Sequence, residues 1–320
     1  MKNHVKNFLF ESSGFLILGT LLALFWANSA VESYHEVQHL LHFAVNDIGM
    51  AFFFLIVGKE VFEAIFLKEG ALHGRKKFAL PAIAVVGGML GPALVYIGTA
   101  YMFDQVELLS GWAIPCATDI AFSLLVLKRI YPSVKHPAVV FILAVAILDD
   151  FAGLAFIAAF YSPTPPDLMT VGLFVGAGLI GGMILRSMKV HSFWPYLLIT
   201  GGCSWWGFYA GGLHAALGLL PCVLVMPHAD TDLGIFSEGE EERHDTLNEM
   251  EHFFKNPVEI ILFFFGLVNA GVVLSSFGAP TTMVLSGLLI GKLIGICLFA
   301  YLGVKLFNCQ LPEGVTLKRD

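Results

Sequence analysis

Three aspartates and one lysine interrupt apolar runs of this sequence. Asp119 follows Gly111-Trp-Ala-Ile-Pro-Cys-Ala-Thr118 and precedes Ile-Ala-Phe122. Asp149 and Asp150 close Phe141-Ile-Leu-Ala-Val-Ala-Ile-Leu148, after which apolar residues continue to Phe160. Lys292 lies within Leu288-Leu-Ile-Gly-Lys-Leu-Ile-Gly-Ile296. A charge at membrane depth costs about 3 kcal/mol or more, so ionisable residues there usually serve function. Adjacent residues on a helix point about 100° apart, so Asp149 and Asp150 cannot share one partner well; one can bind a cation while the other meets a fixed charge. Two close carboxylates in a medium of low dielectric cannot both ionise easily. That suits a group alternating between a proton and a metal cation near neutral pH. A purely structural polar pair is disfavoured, because burying two carboxylates for packing alone is expensive. Lys292 is too central to snorkel to the interface and needs a carboxylate partner; the three aspartates are the candidates.

The elements that must position these groups are membrane helices. The chain has 320 residues, 57% hydrophobic and 13% charged, against about 25% charged in a soluble domain. Mean hydropathy is +0.78. Apolar runs of about 20 residues recur, which reads as an all-α polytopic membrane protein forming one transmembrane domain over 1–320. Ten spans are expected, near 12–28, 44–66, 78–101, 112–128, 138–160, 168–185, 194–211, 213–227, 256–275 and 282–307. Pro115 falls inside the fourth, three residues before Thr118-Asp119. Proline removes a donor and clashes with the preceding turn, and a broken membrane helix is tolerated only where it faces protein or a watery cavity. The freed backbone ends can bind ions. The polar Thr118 and Asp119 beside the break favour that role over a simple kink.

Of the 18 lysines and arginines, 16 fall in the termini and the even-numbered connections, and Lys59 and Lys292 fall inside spans. The positive side is cytoplasmic, so both termini are expected inside. Lys2, Lys6 and Ala27-Asn-Ser-Ala30 fit a signal peptide, but its removal would leave an odd number of spans. Lys59, toward the cytoplasmic end of span two beside Glu60, reads as snorkelling to the interface at least as well as gating. His35, His39 and His42 read as the polar face of a short interfacial helix rather than a metal site. The stretch His228–Glu251 reads as a solvated cytoplasmic loop around Glu238, Glu240, Glu241 and Glu242. Cys116, Cys203, Cys222, Cys297 and Cys309 show no metal spacing and read as small packing residues without a disulfide.

These residues resemble the NhaA family of bacterial sodium/proton antiporters. The resemblance rests on Gly111–Phe122, Leu148-Asp149-Asp150, Gly212-Leu-His-Ala-Ala216, Asn269-Ala-Gly-Val272, Gly291-Lys292 and Leu311-Pro-Glu-Gly314. Trp26-Ala-Asn-Ser29 and Asn46-Asp47 fit as well, in the family's order along the whole chain. It implies an inverted-repeat bundle with broken helices crossing near mid-membrane. Asp150 would be the main ligand of the transported Na+ and the proton carrier. Asp149 would pair with Lys292 and join the proton cycle, and Asp119 with Thr118 would compensate the broken helix ends. It also implies electrogenic export of sodium or lithium for protons, serving pH and sodium homeostasis in the bacterial inner membrane. No enzyme activity and no cofactor are expected. The partners are sodium, protons and the lipid bilayer, with a homodimer in view and no nucleic acid.

Two departures from the family pattern stand out. Glu60-Val-Phe-Glu-Ala64 replaces the family's Glu-Val-Lys-Arg-Glu, which is tied to pH activation; Glu60, Glu251 and His252 are the pH-response candidates here. The family also continues past Leu-Pro-Glu-Gly with two further spans, one of them broken. The expectation drawn from this is that the 320-residue form transports weakly alone, with a transport-inactive or regulatory membrane protein as the alternative. An intramembrane aspartyl protease ranks far lower, since no Gly-x-Gly-Asp motif occurs and Lys292 would have no role.

Overall fold

Charge-poor sequence of this kind must satisfy its backbone internally, and helices do so within one segment. The computed structural model describes residues 14–67, 75–116, 130–131, 137–160, 166–228 and 245–309, and no strand occurs among them. Thr118 and Asp119 lie outside the described residues, as do the side chains of Asp150 and Glu60 and the run Glu238–Glu242. Four described helical stretches are long and apolar enough to cross a membrane: Val31–Lys59, Phe78–Met102, Leu168–Ser187 and Ala279–Phe307.

The chain forms two compact units. Unit one holds Met1–Phe62 and Leu154–Ser275. Its α1 (Gly14–Ser29) is followed by α2 (Val31–Phe43), which runs through a π-helical turn at Ala44–Gly49 into α3 (Met50–Phe66). Later come α6 (Leu168–Ser187) and α7, built from Phe193–Tyr196, a π-turn at Leu197–Gly201 and Gly202–Ala210. A five-residue helix α8 (Pro221–Val225) and the long α9 (Thr246–Asn269) complete it. Leu55, Tyr196, Leu197, Cys222, Met250, Phe254 and Val258 form its main core. Helix α1 seats on α9 at two glycines: a Cβ on Gly19 would lie 2.1 Å from the Phe263 carbonyl oxygen, and one on Gly266 2.7 Å from that of Leu16. Membrane helices, lacking a hydrophobic drive toward each other, gain their packing from such small-residue seams.

Unit two holds Glu63–Gly153 and Ser276–Asp320. It contains α4 (Arg75–Met102), a 3-10 helix at Val106–Cys116, most of α5 (Pro137–Phe160) and α10. The last consists of Ala279–Ser286, a π-turn at Gly287–Lys292 and Leu293–Phe307.

Several elements differ from the sequence expectation. The connection between spans one and two is α2, continuous with span two, and His35, His39 and His42 are exposed on it. The stretch 213–227 is no continuous helix: Gly212 adopts φ 75°, a 3-10 turn occupies Ala215–Leu217, and α8 starts only at Pro221. Residues 246–251, expected in a loop, are the first turns of α9. Asp245 caps that helix by accepting from the Asn248 amide at 2.8 Å, and Leu247, Met250, Phe254 and Val258 give it one buried face. Helix α9 then ends at Asn269, short of residue 275. The five cysteines are free, with Cys116 and Cys222 buried but Cys297 exposed, so Cys297 is not a packing residue.

Candidate functional site

In unit two, Gly87 and Gly91 of α4 face Gly291 and Gly295 of α10 across a near-contact seam. A Cβ on Gly91 would lie 2.1 Å from the Gly291 carbonyl oxygen; one on Gly295 would lie 2.1 Å from that of Gly87. Only hydrogen fits at these positions, which draws the two backbones together and sets Lys292 within the unit. The π-turn ending at Lys292 widens α10 one residue before the regular helix resumes, and such turns gather at functional sites. Next to it, a Cβ on Gly287 would lie 2.9 Å from Pro115, so the 3-10 helix also abuts α10.

Lys292 is buried, and its Nζ donates to Asp149 Oδ2 at 2.7 Å, with the two side chains only 7% and 2% exposed. The same ammonium donates to the Cys116 carbonyl at the end of the 3-10 helix. One lysine thus joins α5, α10 and the carbonyl of Cys116, two residues before Thr118 in sequence. Of the three aspartates open as partners for Lys292, the pairing falls to Asp149. Asp150 is the next residue of α5.

Unit one contains a second buried ion pair. Lys59 Nζ lies 2.5 Å from Glu251 Oε2, with side chains 0% and 5% exposed. The snorkelling reading of Lys59 is therefore corrected: the ammonium turns into the unit, where α9 supplies a carboxylate. The sequence conceals this pairing because Glu251 falls in a polar stretch; the 3.6-residue apolar period of 247–258 is the signal that places it on a helix. Glu63, one turn beyond Lys59 on α3, is also buried, whereas His252 is exposed. The pH-response candidates thus separate, Glu251 into the core and His252 onto the surface. No group of three metal-ligating side chains occurs among the described residues.

A sequence model of the family described as Na+/H+ antiporter 1 matches residues 7–319. A protein of Jannaschia sp. (strain CCS1) named Na(+)/H(+) antiporter NhaA is 45% identical, the match covering 98% of this chain and 84% of the relative. Relatives of the same name from Desulfitobacterium hafniense (strain DSM 10664 / DCB-2) and Geobacter sulfurreducens are 41% and 39% identical, covering 98% of this chain and 82% and 83% of theirs. With its apolar helices and this match over nearly its whole length, the chain is a multi-pass membrane protein and belongs to the NhaA family of Na+/H+ antiporters.

Proposed function

We propose that this protein exchanges sodium for protons across the membrane at the paired carboxylates of α5. The observation that carries the reading is the buried Lys292–Asp149 ion pair, anchored on the Cys116 carbonyl and held by the glycine seam. A lysine so placed neutralises Asp149 and leaves the adjacent Asp150 as the group that alternates between sodium and a proton. In this reading Asp119 and Thr118, which follow Pro115 in sequence, are further polar groups of the transport site. The protein is a transporter and not an enzyme.

The finer reading follows the same chemistry. Exchange is electrogenic, more than one proton entering per sodium or lithium, because Asp149 and Asp150 both take part in the proton cycle. The ten spans act as one transport domain in the bacterial inner membrane with both termini cytoplasmic, as the distribution of lysines and arginines supports. A homodimer and a pH response through Glu60, Glu251 and His252 belong to this reading. The test is proton release from acidified everted vesicles on adding sodium, with empty-vector vesicles as control. The reading expects sodium-dependent release that the control lacks; identical traces would refute it.

A further inference from the structure

Three motifs that the carboxylate site does not use, Trp26-Ala-Asn-Ser29, Asn46-Asp47 and Asn269-Ala-Gly-Val272, converge in unit one just past the end of α9. Beyond Asn269 the backbone leaves the helix, and the last carbonyls of α9 and the irregular stretch that follows need partners. Side chains of α1, α2 and the first π-turn supply them. The Tyr34 hydroxyl, on a ring 1% exposed, donates to the Leu267 and Val268 carbonyls at 2.9 and 3.1 Å and accepts from the Gly271 amide at 3.0 Å. Gln38 donates to the Val268 carbonyl at 2.9 Å. Asn28 donates to the Val272 carbonyl at 3.0 Å and accepts from the Leu274 amide at 2.8 Å. Asn46 and Asn269 exchange amide hydrogen bonds of 3.2 and 2.8 Å. Residue 271 must be glycine, since a Cβ there would lie 2.1 Å from the Tyr34 ring.

This stretch leads directly to the lysine of the ion pair. The last stretch of unit one ends at Ser275, a short 3-10 turn occupies Leu274–Ser276, and α10, which carries Lys292, starts at Ala279. Resting on the antiport reading above, we propose that Asn28, Tyr34, Gln38 and Asn46 are positioning residues for transport. They clamp the end of α9 and the segment after it, residues 269–274, to α1, α2 and the first π-turn, so that at this passage of the chain displacement of α10 during the cycle is absorbed in residues 276–278. A short hinge fixes the path of α10; releasing the clamp lengthens that hinge to about nine residues and slows the conformational step. None of the clamp residues is among those to which the antiport reading assigns sodium, so its apparent affinity is expected to stay.

Two readouts on reconstituted protein test this. Hydrogen exchange of the peptide spanning 267–275 reports the clamp itself, because the Gly271 and Leu274 amides are bonded to Tyr34 and Asn28. Tyr34→Phe is expected to speed exchange at Gly271 about tenfold or more. The same variant is expected to lower the maximal rate of sodium-driven proton flux about fivefold with the sodium KM within about twofold. Asn28→Ala should act likewise, while Asn28→Asp, which keeps the acceptor for Leu274, should recover much of the rate; this pair stands in if Tyr34→Phe does not fold. Unchanged exchange, faster exchange with an unchanged rate, or a shift in KM without loss of rate overturns the proposal. Absence of flux in the unmodified protein would count against the antiport reading instead, and the exchange arm would still judge the clamp.

Discussion

Two lysines in apolar sequence end on carboxylates here, and they differ in how far the sequence announces the partner. Lys292 has three aspartates in apolar spans as candidates, and the partner is Asp149. Lys59 pairs with Glu251, 192 residues away, at a position that composition alone assigns to a polar stretch. Both pairs are buried, so removing one member leaves a charge in a medium that solvates it poorly, typically at a cost of about 3–5 kcal/mol. Lys292→Ala is expected to lower the thermal midpoint in detergent, and adding Asp149→Asn should recover part of the loss; strictly additive losses would argue against the pair. For unit one, Lys59→Met should destabilise more than the double variant Lys59→Met with Glu251→Leu, which removes both charges. A double variant worse than the single would show that the Lys59–Glu251 contact does not carry the expected coupling.

The elements themselves were largely legible, and where they were not the cause is local. Runs of about 20 apolar residues gave the helices of α4, α5, α6 and α10 to within a few residues. The amphipathic start of α9 is hidden by its polar residues; the stop near Gly211-Gly212 is legible, but the irregular stretch from Leu213 to Leu220 is hidden by an apolar composition that suits helix and irregular backbone equally. The glycine seam between α4 and α10 is readable as two small-xxx-small patterns, but which helices meet is a tertiary fact. Gly91→Ala drives a methyl group into the Gly291 carbonyl, a backbone atom that cannot turn aside. It is expected to cost about 1–3 kcal/mol or more and to displace Lys292; thermal stability and flux should fall together. A variant matching the unmodified protein in both would contradict the seam's role. At α6, Asp167 caps the helix, and the Thr170 hydroxyl and amide, with the Met169 amide, hold its carboxyl below the usual carboxylate range. Its folded pKa being depressed, the stabilisation is present above the ordinary carboxylate pKa and is lost as pH falls through the folded value. The midpoint difference between unmodified protein and Asp167→Ala, clear at neutral pH, should therefore close on acidification; a gap constant with pH would speak against the cap.

At the scale of the molecule, each of the two compact units buries a lysine–carboxylate pair among the described residues, and one of the three passages of the chain between them, after Ser275, follows directly on the clamp at residues 269–274. The proposal places transport at the pair next to Asp150, because there alone among the described residues a buried lysine meets both a carboxylate and a backbone carbonyl. The most direct test is sodium-driven proton flux in proteoliposomes of unmodified protein and of Asp150→Asn, with insertion and thermal midpoint checked in parallel. The account predicts sodium-dependent flux in the first and none in the second, the amide being unable to carry either the proton or the charge that sodium requires. Flux in Asp150→Asn equal to that of the unmodified protein would contradict it.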